Sequence, residues 1–225
     1  MKKILLLLSI MALPIQAEEA KNKNSNNQQQ EKKKVTDNWT GWKLALNQMF
    51  YITDITGKDS LGKEYKSSFL DYTLGGGIEY GWSLQNNFYV GVNTDLNVNW
   101  IMTNNGSGGK NNFFFAPKLT LKGGFTQGNA MAFLGAGLGY RFVLSEPSEE
   151  YRGILPLDKD GKQRHVPTWH AQVGGLYKIS SNSFVGMTLE YERTFAKDDE
   201  ITGFEKRKDV TLGGLRLIWK VGMQF

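Results

Sequence analysis

Large apolar residues recur at every second position from Trp39 to the last residue, Phe225, and they do so in eight separate runs. A period of two is the signature of a strand with two unlike faces. The second run is the cleanest: Leu70, Tyr72, Leu74, Gly76, Ile78, Tyr80, Trp82 and Leu84 alternate with Asp71, Thr73, Gly75, Gly77, Glu79 and Gly81. The first covers Trp39 to Tyr51, with Trp42, Leu44, Leu46 and Phe50 on one face. The third sets Phe88, Val90, Val92, Leu96, Val98 and Trp100 against Gly91, Asn93, Asp95, Asn97 and Asn99. The fourth (Phe113 to Phe125), fifth (Leu134 to Leu144), sixth (Trp169 to Ile179) and seventh (Val185 to Glu192) repeat the pattern. In the last, Leu215, Leu217, Trp219, Val221, Met223 and Phe225 alternate with Arg216, Ile218, Lys220, Gly222 and Gln224.

The connections alternate as well. Gln85 to Asn87, Thr126 to Asn129 and Ser180 to Ser183 are short and rich in Asn, Ser and Gly, the chemistry of hairpin turns. Thr53 to Ser67, Thr103 to Asn111, Ser145 to His165 and Ala196 to Lys208 are longer and more charged. Short turns at one end and long loops at the other are expected of a transmembrane barrel. Aromatic residues gather near the strand ends, with Trp39, Tyr80, Trp82, Phe88, Phe125 and Tyr177 at one level. Phe50, Phe69, Trp100, Phe113, Phe142 and Trp169 form the other, as two interfacial girdles would.

Alternation alone does not say which face points inward; glycine does. The interior of an eight-stranded barrel is only just wide enough for its side chains. Gly75, Gly77, Gly81, Gly91, Gly135, Gly137, Gly139, Gly174, Gly186 and Gly214 share their face with the charged residues, so that face is expected to line the lumen. A lipocalin-like barrel would invert this arrangement and carry Gly-x-Trp at its entry, whereas Gly41 and Trp42 are adjacent. The expected fold is therefore all-β: an eight-stranded antiparallel up-and-down transmembrane β-barrel. Its lumen would hold Lys43, Lys118, Lys122, Arg141, Lys178, Arg216 and Lys220 with Asp71, Glu79, Asp95, Glu190 and Glu192, and Thr73, Asn93, Asn97 and Gln172 among them. Buried charges persist when paired, so Arg141, Arg216, Lys118 and Lys122 are expected to pair with Glu190, Glu192, Asp95 and Glu79.

Residues 1–17 read as a secretory signal peptide: Lys2 and Lys3, an apolar run from Ile4 to Ile15, then Gln16-Ala17 as the cleavage site. The run is too short for a spanning helix. Its loss lowers the formal net charge of +5 by two, to +3, and no basic block interleaved with aromatics marks a nucleic-acid partner. The chain has no cysteine, hence no disulfide. Residues 18–38 are mostly Lys, Asn, Gln and Glu with almost no apolar residue and are expected to be a disordered periplasmic tail. The barrel would occupy 39–225.

The leader, eight alternating strands, four outer loops and terminal aromatic together resemble the small eight-stranded Gram-negative outer-membrane barrels: the OmpA transmembrane domain, OmpX and the opacity-type surface proteins. The resemblance spans Trp39 to Phe225 and rests on architecture and on the Trp219/Val221/Met223/Phe225 ending. It implies the cell outer membrane as location, outer-membrane lipid and lipopolysaccharide as surroundings, and recognition of that ending by the barrel-assembly machinery. Unlike full-length OmpA, the chain is expected to carry no peptidoglycan-binding domain beyond the barrel.

No cofactor, metal site or enzyme activity is expected. His165 sits at a loop boundary and His170 has lumen parity; barrel-type lipid A deacylases resemble a lipid-facing His with Ser two residues on, where this chain has Gln172. Asp158-Lys159-Asp160-Gly161 opens like a calcium loop, but its twelfth position is Trp169 rather than a bidentate Glu. Two functions from different classes remain: a structural or surface-interaction barrel with a closed, charge-filled lumen, or a narrow, weakly anion-preferring pore. A lipid A-modifying enzyme is a remote third. Lys63, Lys66, Lys110, Arg164, Lys206, Arg207 and Lys208 at the loop bases are candidate lipopolysaccharide contacts through charge-assisted bonds to phosphate. The apolar Ile154-Leu155-Pro156-Leu157 in loop 145–165 is the candidate contact for a host or surface protein.

Overall fold

The computed structural model describes residues 39–58, 61–102, 112–144, 166–195 and 208–225. The leader 1–17, the tail 18–38, His165, the motif 158–161, the patch 154–157 and Lys110, Arg164, Lys206 and Arg207 lie outside them.

Eight antiparallel strands close into a barrel in chain order. They are β1 (Gly41–Lys58), β2 (Glu64–Ser83), β3 (Phe88–Met102), β4 (Asn112–Gln127), β5 (Ala130–Val143), β6 (Val166–Lys178), β7 (Ser183–Thr194) and β8 (Lys208–Gln224). β1 pairs with both β2 and β8, which leaves no sheet edge along the paired length. The seam tightens at the end of the chain. Phe225 N–H donates to Trp42 O at 2.8 Å, and Gly41, at φ +127°, passes so close that a Cβ there would lie 2.4 Å from Phe225 O. Only glycine meets both demands.

At the short-turn end, Gln85–Asn87 is one 3₁₀ turn with Asn87 at φ 63°, and Gly128 turns at φ 58°. Asn and Gly are the residues that tolerate this left-handed region. The two faces separate as the alternation predicts. Outside, Leu46, Leu121 and Leu134 are 74%, 64% and 67% exposed, and exposed apolar residues encircle the barrel. Rings pair on that surface: Tyr72 with Trp100 at 4.1 Å, Tyr80 with Trp82 at 4.7 Å and Phe88 with Phe125 at 4.5 Å.

Two expectations fail. The first connection is no loop from Thr53 to Ser67: β1 and β2 continue as a regular ladder out to Lys58 opposite Glu64. Asp54, Thr56 and Gly57 resemble loop composition, but backbone hydrogen bonds hold this stretch of ladder without an apolar outward row, so hydrophobic period does not report it. Trp39 is not an exterior girdle residue. It is fully buried, because it shares parity with Gly41 and Lys43 and so turns inward.

Candidate functional site: a charged and aromatic lumen

All twelve charged residues assigned to the lumen from sequence are buried inside it: Lys43, Asp71, Glu79, Asp95, Lys118, Lys122, Arg141, Lys178, Glu190, Glu192, Arg216 and Lys220. Register sorts most of them into three levels.

The outermost level centres on two acids of β7. Glu192 accepts from Arg141 Nε at 2.9 Å and Nη2 at 2.6 Å, and from Arg216 through both terminal nitrogens at 2.6 and 2.7 Å. The Arg216 contact is a two-pronged fork, the geometry that best matches guanidinium to carboxylate. Lys118 reaches Glu190 at 2.5 Å and also contacts Glu192. A further Arg216 contact to Glu190 at 3.2 Å ties the two acids together. His170 lies directly across β6–β7 from Glu192, and its Nε2 is 2.8 Å from Thr120 Oγ1.

At mid-height, Asp95 accepts from Asn47 Nδ2 at 2.7 Å and Asn93 Nδ2 at 2.6 Å, with Lys220 at 3.7 Å. Asp95 was expected to take one of Arg141, Arg216, Lys118 and Lys122. Lys118 is its cross-strand neighbour in register, yet the lysine spans the lumen to β7 instead. Beside this level, Asn97 through both amide atoms, Thr73 through its hydroxyl and Asn47 through its amide oxygen have no hydrogen-bond partner among the described residues.

The innermost level is built on Glu79, which contacts Lys122 and the Tyr89 hydroxyl and lies 3.4 Å from Lys43. Lys43 also donates to Tyr89 Oη and to Trp39 O, each at 2.9 Å. Below it the lumen is apolar. Trp39, Tyr89, Met131, Phe133, Leu176 and Phe184 pack as one cluster at the short-turn end. Three lysines stand over its rings: Lys43 over Tyr89 at 4.8 Å, Lys122 over Phe133 at 4.7 Å and Lys178 over Trp39 at 4.7 Å.

The charged, glycine-rich pattern of the inward face gives no hint of this aromatic floor. The glycines are its counterpart. A Cβ at Gly81 or Gly91 would strike the Tyr89 ring, at Gly174 Phe133, at Gly186 Leu176 and at Gly222 Phe184. Glycine marks crowding, as the sequence argument held, but much of the crowding comes from aromatics on the same inward face. The signal was parity: Tyr89 steps to Gly91 and Asn93, and Phe133 to Gly135.

Among the described residues no group of acids and histidines converges as a metal site. Trp219, Val221, Met223 and Phe225 of the proposed assembly signal point outward and are half or more exposed. Of the candidate lipopolysaccharide contacts, Lys63 is exposed beside the β1–β2 connection, Lys66 is exposed on β2, and Lys208 is in register with Lys58.

No protein-family model matches this chain, and no curated protein matches it. Solved structures similar in fold include Neisserial surface protein A, with 14% identity, TM-score 0.38, covering 83% of this chain and 98% of that one. Ail, the attachment invasion locus protein of Yersinia pestis, solved with the heparin analogue sucrose octasulfate, has 14% identity and TM-score 0.37 over 83% and 99% of the two chains. The outer membrane protease OmpT of Escherichia coli has 10% identity and TM-score 0.43 over 82% and 95%. Likeness this weak assigns neither family nor activity.

Proposed function

We propose that the protein is an outer-membrane barrel with a closed lumen, acting as a structural or surface-interaction element and not as an enzyme. The observation that carries the reading is the inverted distribution of polarity. A belt of exposed Leu, Val, Phe, Tyr and Trp surrounds an interior of paired charges, which suits a lipid solvent and no aqueous one. The aromatic floor and the Glu190/Glu192 cluster supply two consecutive obstructions along the lumen. Against lipid A chemistry, His170 faces inward and is held by Thr120, with Gln172 where a nucleophile would stand.

The test has two parts. Unheated protein in detergent should migrate differently from boiled protein on a gel, because a closed barrel resists SDS until heated; identical migration overturns the membrane-barrel reading. In planar bilayers the parent should give no discrete openings. A narrow anion-preferring channel is the competing function, favoured by the excess of seven lumen bases over five acids and by the Asn97 amide near Asp95, which has no hydrogen-bond partner among the described residues. Reproducible openings whose conductance falls on Lys118→Gln would establish it. Partner capture by the apolar loop patch is tested by deleting residues 154–157, which should reduce adhesion to host cells and leave the gel shift intact.

A further inference from the structure

A glutamine stands midway along the outward face of β1. That face begins at Trp42, whose ring meets Tyr80 edge-on at 4.9 Å, and turns polar at Asp54, which pairs with Lys66. Gln48 is six residues from each. With a rise of roughly 3.3 Å per residue and a strand tilt of about 40°, it lies on the order of 15 Å from either boundary, near the centre of an apolar band about 25 Å tall. Across the sheet, Met187, Trp219, Gln48, Leu74, Val98 and Phe115 lie side by side in register from β7 to β4. Every other side chain in that row is apolar or aromatic. On its own strand Gln48 is flanked by Leu46 and Phe50, both exposed.

Gln48 is itself exposed, and its Nε2 donates to Tyr72 Oη on β2 at 3.2 Å. A carboxamide carries two N–H donors and an oxygen with two lone pairs. Tyr72 takes one N–H; the carbonyl oxygen and the second N–H have no partner among the described residues. Hydrocarbon offers neither donor nor acceptor, so a polar group held there is costly until another polar group meets it. The amide is also tethered. Tyr72 holds it against the wall, and Phe50 and Trp100 brace the Tyr72 ring at 4.7 and 4.1 Å.

We propose that a second copy of this chain covers this face, β1 against β1, with the two Gln48 amides paired across a two-fold axis. An amide with one N–H and one oxygen to fill is complementary to itself: each copy donates to the other's carbonyl. Two copies in one membrane share an orientation, so a two-fold axis along the membrane normal brings residues of equal depth together, and Gln48 meets its own counterpart. That is the self-complementary contact of a closed dimer. Leu46 and Phe50 pack on either side of the amide pair and shield it from lipid. Small polar contacts of this kind join membrane segments where apolar burial supplies no drive. The inference rests on the outer-membrane reading, because in water the amide would be solvated and would need no partner.

The experiment is sedimentation equilibrium of the full-length mature protein in density-matched detergent micelles. The parent should self-associate as a dimer. Gln48→Leu suits the lipid-facing belt and so folds, and it should raise the dissociation constant roughly tenfold, the scale of a reciprocal pair of hydrogen bonds in a membrane. Tyr72→Phe, which frees the amide from its tether, should weaken the dimer less. Thr94→Val removes an exposed outward hydroxyl on β3 and should change nothing. A second measurement uses the lack of native cysteine. In liposomes, Gln48→Cys should be crosslinked between copies by a short bis-maleimide. Leu138→Cys, exposed on β5 at the far side of the ring, should not. Equal association of parent and Q48L, or equal crosslinking at both positions, overturns the proposal. A monomeric parent that keeps its gel shift overturns the dimer alone; a parent without the gel shift overturns the outer-membrane reading and the dimer with it.

Discussion

Glu192→Gln is the most informative single change, because one carboxylate serves three cations. Arg141, Arg216 and Lys118 all contact Glu192, each of these side chains is nearly inaccessible, and Glu190 also contacts Lys118 and Arg216. Gln keeps the volume and an acceptor oxygen, so packing is preserved and the loss is electrostatic. Removing one partner of a buried pair typically costs about 3–5 kcal/mol, since the surviving charge is left uncompensated. With a urea slope of about 2–3 kcal/mol per molar, the unfolding midpoint should fall by roughly 1–2.5 M. The assay is urea unfolding in detergent or liposomes, following the fraction that retains the unheated gel mobility. Arg141→Met placed in the Glu192→Gln background should recover part of the loss, because it deletes one of the cations that Glu192 balances. A double-mutant cycle showing strong coupling is the expected result. A midpoint unchanged within about 0.3 M, or strictly additive effects, would refute the claim that these charges hold one another in a low-dielectric interior. The exposed Lys66–Asp54 pair supplies the contrast: Asp54→Asn should shift stability by less than about 1 kcal/mol.

Leu121→Arg, at a 64% exposed outward position on mid-β4, should destabilise the barrel by about 2–4 kcal/mol in bilayers if that face meets hydrocarbon, and by almost nothing if it meets water. Paired Trp39→Ala and Phe133→Ala substitutions remove two rings of the floor and should raise the frequency of openings in single-channel recordings above the silent parent; continued silence would locate the seal at the Glu190/Glu192 level instead. Deleting Phe225 should lower outer-membrane yield in cells while refolding in detergent proceeds normally. Equal surface levels would remove its role as an assembly signal and leave only the seam contact to Trp42 O.

The strand count, the antiparallel order and the inward face were all legible in the chain. Each depends on nearest-neighbour geometry alone: a pleat alternates its side chains every residue, and a turn of two or three residues allows only the adjacent strand as partner. The identities of the lumen charges followed from the same parity, as the burial of Lys43, Glu79 and Arg216 shows. His170 was placed inward for the same reason, although only the fold reveals that Thr120 holds it. Parity also contained the aromatic floor, but the run Phe88-Tyr89-Val90 is apolar on both faces, and local reading had no reason to place Tyr89 inside.

What the chain could not specify alone was which charge meets which. Pairing depends on the stagger between strands and the reach of each side chain across the closed interior. Lys118 illustrates this: it lies beside Asp95 along the ladder, yet extends across to Glu190, while Asp95 turns to Lys220. The continuation of β1 and β2 to Lys58 and Glu64 was hidden because backbone hydrogen bonds hold that stretch of ladder, and they leave no hydrophobic period in the sequence. The crossing of Arg193 over Gly213 to Thr56 joins residues 137 positions apart. It exists only because β8 closes against β1, a contact between the two ends of the barrel that no local pattern encodes.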